Sequence, residues 1–191
     1  QSNINAFGEL AMSGCGAYAK VEGFAFLPIT SFTSAITTFV GQNLGAEEFD
    51  RAKKGARFGI LCSLLIAEGI GVITYVFSPV FIGAFCDSQA AIAFGVDKAH
   101  ICALFFCLLA ATHCLSAVLR GAGRAMVPMV VMLSVWCVLR VSILWIAVPI
   151  TQSINTVNWV YPITWSISTV VLLIYYRKSD WLHSFQREKA E

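Results

Sequence analysis

One carboxylate, Glu68, stands in the run Ile66-Ala67-Glu68-Gly69-Ile70 with no polar neighbour on either side. An ionised carboxylate removed from water must be paired, protonated or turned toward a water-filled space. Glu68 is therefore a candidate for a cation-linked or proton-linked group. The alternative is a carboxyl group hydrogen-bonded to a neighbouring helix. Arg140, in Leu139-Arg140-Val141, cannot shed its charge, so it must snorkel, or pair with Glu68 or with a carboxylate beyond these residues. Lys20 and Glu22 lie two residues apart in the first apolar stretch and would leave a helix on different faces. They are either interfacial or line an internal cavity. His113 titrates near neutrality in its unperturbed form, which suits a proton relay, although a packed neutral histidine fits the same position.

Other chemistry finds little support. Among His100, Cys102, Cys107, His113 and Cys114, the successive steps from His100 to Cys102, Cys102 to Cys107 and Cys107 to Cys114 are two, five and seven residues, a spacing that fits no closed tetrahedral site. No metal is expected. The seven cysteines form no CxxC pair and read as small polarizable packing residues. No nucleophile–base pair stands out, so neither covalent catalysis nor a cofactor is expected, and the chain is not read as an enzyme.

These residues are carried by a chain of unusual composition. Of its 191 residues 58% are hydrophobic and 13% charged, with a mean hydropathy of +0.74. Soluble domains carry about 45–50% apolar and about 25% charged residues, so too few polar residues remain to cover a water-facing surface. A net charge of +2 gives no reason to expect a nucleic-acid partner. Five apolar stretches, near residues 10–46, 55–77, 100–119, 127–150 and 159–176, are long enough for a hydrocarbon core of about 30 Å. The fold class expected is an all-α polytopic membrane protein with the lipid bilayer as its surroundings. The first stretch would reach roughly 55 Å as one helix at about 1.5 Å per residue. It must project, tilt or break, and Pro28 marks the bend.

Basic residues set the orientation. Arg51, Lys53, Lys54 and Arg57 follow the first span, Arg120 and Arg124 the third, and Arg177, Lys178, Arg187 and Lys189 the fifth. That places ten on one side against Lys98 alone on the other, in the connection 86–99. The expectation is a multi-pass protein of the cell membrane with a cytoplasmic C-terminus and residue 1 outside. Residues 1–10 hold no Lys, Arg or Met, so helices upstream are expected to have placed that end there.

The ends of the spans carry recognisable patterns. The first closes on Gly41-Gln42-Asn43-Leu44-Gly45-Ala46, followed by Asp50-Arg51-Ala52-Lys53-Lys54. Leu119-Arg120-Gly121-Ala122-Gly123-Arg124 follows the third, Leu139-Arg140-Val141 lies in the fourth, and Asn3-Ile4-Asn5-Ala6-Phe7-Gly8 opens the chain. Together these resemble the multidrug and toxic-compound extrusion (MATE) family, over nearly the whole chain, as helices eight to twelve of a twelve-helix protein. The resemblance implies most of the C-terminal lobe of an exporter that works by alternating access. It implies antiport of small organic, often cationic, substrates against Na+ or H+, completed by N-terminal helices not among these residues. Gly41 and Gly45, and Gly55 and Gly59, are spaced four apart, as in close helix packing; Gln42 and Asn43 would brace a helix end, and Arg120 suits a helix C-terminus. Phe24, Phe26, Phe32, Phe39 and Trp136 are possible aromatic substrate contacts. The pattern departs from some family members in one respect: 99–119 holds no acidic residue where they carry a cation ligand. Rival readings are a lipid-linked precursor flippase, which would need a cationic cavity, and a non-transporting membrane segment.

Overall fold

The computed structural model describes residues 7–183. The Asn3 to Ala6 part of the opening motif and the tail bases Arg187 and Lys189 lie outside these. Five helices long and apolar enough to cross a membrane follow in order: α1 Glu9–Gly45, α2 Phe49–Gly83, α3 Gln89–Gly121, α4 Met126–Thr151 and α5 Ile154–Lys178.

Apolar length explains why spans form, but helix ends answer to other rules. Helix α1 runs unbroken through Pro28, with the Thr30 and Ser31 hydroxyls donating to the Leu27 carbonyl in the turn around it. Helix α2 starts at Phe49, taking the Asp50-to-Lys54 run into its first turns, where Asp50 meets the positive end of the helix dipole. It continues past Pro79, whose ring leaves the Tyr75 carbonyl without an amide donor; the Ser78 hydroxyl donates to it at 3.1 Å. The stretch 86–99, expected as a connection, is helical from Gln89 onward. Ala91, Gly95, Ala99 and Ala103 recur every fourth residue there and are buried, so a smooth face lets α3 press against its neighbours. Lys98 is thereby carried into the fold, only 4% exposed, instead of standing in a loop.

Helices α1, α2 and α3 pack on one another, α5 lies along α3, and α4 leans mainly on α5. One buried cluster joins Tyr18, Val21, Ile29, Phe106 and Trp165; a second, toward the other end, joins Ile36, Val40, Val118, Leu119 and Leu172. Leu65, Val80, Trp145 and Ile150 turn outward, as suits a lipid-covered surface. Buried polar side chains are paired between α3 and α5: Thr112 Oγ1 lies 3.0 Å from Ser168 Oγ and 2.8 Å from Thr169 Oγ1.

Two turns depart from α-helical geometry. Helix α3 tightens to a 3₁₀ turn at Ala103–Phe105, and α4 widens to a π turn at Leu133–Leu139.

Candidate functional site

The π turn in α4 ends on Arg140, whose backbone N–H reaches back to the Val135 carbonyl. Its guanidinium is held from three sides. Nε and Nη2 donate to Thr164 Oγ1 on α5 at 3.1 and 2.5 Å, and the group lies 5.2 Å from the Trp136 ring centroid and 4.7 Å from that of Tyr161. A planar cation stacked on two rings is stabilised by their quadrupoles and held in place. From α3, Lys98 Nζ lies 4.5 Å from the centroid of the same Tyr161 ring and 5.5 Å from that of Tyr18 on α1. Two cations therefore share one tyrosine ring. Glu22 of α1 is within electrostatic range of both.

Glu22, Arg140 and Tyr161 line a cavity of about 280 Å³ between α1, α3, α4 and α5, together with Phe26, Leu109 and Trp136, while Lys98 reaches the Tyr161 ring from outside that lining. Beside it lie polar atoms with unmet demand. Tyr18 is 0% exposed and its hydroxyl has no partner in hydrogen-bond geometry, with Glu22 and Cys102 its polar neighbours. Both side-chain amide atoms of fully buried Asn158 are likewise unpartnered. Pro162 cannot donate to the Asn158 carbonyl one turn back, and the Cys102 thiol approaches it at 3.7 Å.

Other residues singled out in the sequence fall elsewhere. Lys20 is exposed and sits 5.2 Å from the Phe85 ring centroid, away from the face of Glu22. His113 packs edge-on between Phe26 and Trp136, at 4.9 and 5.4 Å between centroids, and its Nε2 has no hydrogen-bond partner. This is packing geometry, not that of a relay with a proton partner in place. Of the five aromatic residues, Phe26 and Trp136 line the cavity; Phe24 is exposed in a groove between α1 and α2, Phe32 packs against the second core cluster, and Phe39 covers Gly55. His100 lies 3.3 Å from Ser78 Oγ, and no three of His, Cys, Asp and Glu converge among the described residues.

Glu68 does not pair with Arg140; among the described residues it accepts from the Cys107 backbone N–H at 3.2 Å. The contact falls just after the 3₁₀ turn of α3, and Gly71, three residues on, faces the Ala103 carbonyl in that turn. Glu68 thus fastens α2 to an irregular turn of α3. Glu68→Gln keeps an acceptor oxygen and should melt close to the parent in detergent. Glu68→Leu removes the acceptor and should lose about 1–3 kcal/mol. Equal losses in both variants would reject this bracing role.

The glycine-rich turn after α3 has a local cause. Gly123 adopts φ 78°, the Arg124 N–H bonds the Leu119 carbonyl at 2.8 Å, and the Gly123 N–H bonds the Arg120 carbonyl at 3.0 Å. That is a Schellman ending, which needs a left-handed residue at Gly123. Gly121 presses on α1, where a Cβ would lie 2.6 Å from the Thr37 carbonyl; Gly41 faces the Gly121 carbonyl in return. Gly45 has open space around it and takes no part in this approach. Asn43 donates to the Phe39 carbonyl at 2.7 Å, Gln42 and Arg120 are exposed, and Arg124 donates to the Tyr175 hydroxyl at 3.2 Å.

Sequence reasoning missed Lys98, Tyr18, Tyr161, Thr164 and Asn158. For Lys98 a signal existed: it sits inside the four-residue repeat of small residues, which marks a buried helix.

Five packed apolar helices, each long enough to cross a membrane, define a multi-pass helical membrane protein. The MatE family model matches residues 2–146, and the chain belongs to that family. It is 26% identical over 178 residues to the probable multidrug resistance protein YoeA of Bacillus subtilis (strain 168), covering 92% of this chain and 38% of that protein. It is 30% identical over 134 residues to the probable multidrug resistance protein NorM of Thermotoga maritima, covering 66% of this chain and 29% of that one. The solved MATE transporter ClbM, in complex with Rb+, superposes with a TM-score of 0.84 at 19% identity, over 94% of this chain and 42% of its own. This chain thus spans well under half the length of these relatives.

Proposed function

We propose that these helices form one lobe, the C-terminal one, of a secondary transporter that exports small organic compounds by antiport with Na+ or H+. The observation that carries this is the cluster of Glu22, Lys98 and Arg140 around a cavity inside the spans. Ionisable groups there are costly and occur where ions or substrates pass. In this reading Glu22 is the coupling carboxylate: it takes up a proton or sodium ion in one state and returns to the two cations in the other. Names of relatives concerned with multidrug resistance, and the Rb+ in the ClbM structure, support export linked to a monovalent cation. The orientation expected from the basic residues gains support as well, since Lys98, the one base counted on the outer side, belongs inside the fold.

The test uses the intact protein carrying this chain, reconstituted in inside-out vesicles. Uptake of ethidium and of 1-naphthoate is followed while a sodium or a proton gradient is imposed. Acceleration of either compound by either gradient is expected, with Glu22→Gln slowing it about tenfold or more. If neither compound responds to either gradient, the exporter reading fails.

A further inference from the structure

The geometry points to the cavity between α1, α3, α4 and α5 as a binding site for an organic monoanion, a carboxylate carried on an aromatic or other apolar body. This rests on the transport reading for its biological sense, but the binding site itself is argued independently of it.

The charges come first. Lys98 and Arg140 both lie against the Tyr161 ring, at 4.5 and 4.7 Å from its centroid, and Glu22 is within electrostatic range of both. Asp97, next to Lys98 in sequence, is exposed and belongs to a different face of α3. Lys98, Arg140 and Glu22 together carry one positive charge more than they carry negative, with Lys98 buried and Arg140 and Glu22 half-buried. An uncompensated cation in such surroundings attracts an anion of single charge.

Donors come second. Arg140 is anchored through Nε and Nη2 to Thr164, which leaves other N–H groups of its fork for a carboxylate. The Asn158 amide is fully buried and has no partner among the described residues, and the equally buried Tyr18 hydroxyl has Glu22 and Cys102 as its polar neighbours. Each offers an N–H or O–H that a bound anion, or a water held by it, would satisfy.

Shape comes third. Phe26, Trp136, Tyr161 and Trp165 supply ring faces and edges around about 280 Å³, enough for a small aromatic acid. A cationic ligand would meet the same rings, but with Lys98 and Arg140 already seated on them. This departs from the cationic substrates implied by resemblance.

Three isosteric probes test it by equilibrium binding to the intact protein in detergent: 1-naphthoate, the neutral 1-naphthamide and the cationic 1-naphthylmethylammonium. The naphthoate should bind at least about tenfold tighter than either of the others. Arg140→Gln and Lys98→Met should each remove about that advantage, and Lys98→Arg should restore much of it. Because the ranking is read on the unaltered protein, it does not depend on any variant folding. Tighter binding of the ammonium, or equal binding of all three, overturns the assignment; so does a naphthoate preference left intact in both charge-removing variants. Binding needs no gradient, so a failed antiport assay with the naphthoate preference intact would reject the transport reading alone.

Discussion

Gly14→Leu should abolish the folded lobe: monodisperse protein recovered from membranes, judged by size-exclusion chromatography in detergent, should fall to a small fraction of the parent. A Cβ on Gly14 would overlap the Ala91 carbonyl oxygen and stand 3.0 Å from the Gly95 amide nitrogen. A Cβ on Gly95 would in turn meet the Gly14 carbonyl at 2.7 Å. The obstacle in both directions is backbone, so no side chain can rotate away and α1 must separate from α3. Overpacking that side chains can absorb costs about 1–3 kcal/mol. Parting two backbones lies above that range, against a total stability of about 5–15 kcal/mol. Gly71→Leu should behave alike, since its Cβ would overlap the Ala103 carbonyl. Gly16 and Gly69, each two residues away on the same helix, have nothing within 4 Å. Gly16→Leu and Gly69→Leu should therefore express near the parent level. If all four leucine variants behave alike, close helix approach at Gly14 and Gly71 is not what holds the lobe.

The contrast between Gly14 and Gly16 also marks what the sequence could convey. Apolar length showed that there are spans and roughly where each lies, because a bilayer imposes one length on every helix that crosses it. It could not show helix ends, since amphipathic turns such as the first of α2 carry charged residues yet remain helical. Nor could it show which glycine faces a neighbour; that depends on crossing points between helices far apart in the chain. The expected stretch 55–77 stops short of Pro79, yet α2 continues past it, with the Ser78 hydroxyl donating to the carbonyl the ring leaves free. Pro28 likewise sits within one continuous helix.

The charged residues divide in the same way. That Arg140 must have partners inside the membrane followed from its type alone. That the partners are Thr164, Trp136 and Tyr161 follows from the π turn and from the seating of α4 on α5, neither of which leaves a periodic trace. Glu68 had the more conspicuous setting, isolated among apolar residues, yet it serves a backbone amide on α3. Glu22, with a lysine two residues before it, reads either as interfacial or as cavity-lining, and it lines the cavity. Lys98 was hidden by its neighbours: the polar residues Asp97 and His100 on either side made the segment read as a loop.

The Glu22–Lys98 relation yields the second large effect. Glu22→Leu should destabilise the protein by about 1–3 kcal/mol, below the range for breaking a fully buried ion pair, because Glu22 is half-buried and acts on the two cations at longer range. The cause is the company left behind: Lys98 and Arg140 would remain on one tyrosine ring without the carboxylate that is in range of both. Glu22→Lys would add a third cation and should leave no folded protein. The sharper expectation concerns the double variant. Lys98→Met alone lowers the cluster from one excess positive charge to none and preserves much of the apolar stem of the lysine, so its own cost should be small. Combined with Glu22→Leu it leaves Arg140 as the single charge, held by Thr164 and two rings, and should recover a large part of the loss. A coupling of about 1 kcal/mol is expected from the thermodynamic cycle, read by thermal unfolding of the four proteins at one detergent concentration. Strict additivity would mean that Glu22 and Lys98 do not sense one another, and the charge balance on which the anion site depends would fall with it. Arg140 provides the internal comparison. Its guanidinium makes two hydrogen bonds to Thr164 besides its ring contacts, so Arg140→Met also leaves a buried hydroxyl without its donors. Rescue of Glu22→Leu by Arg140→Met should therefore be weaker than rescue by Lys98→Met, although each removes one positive charge.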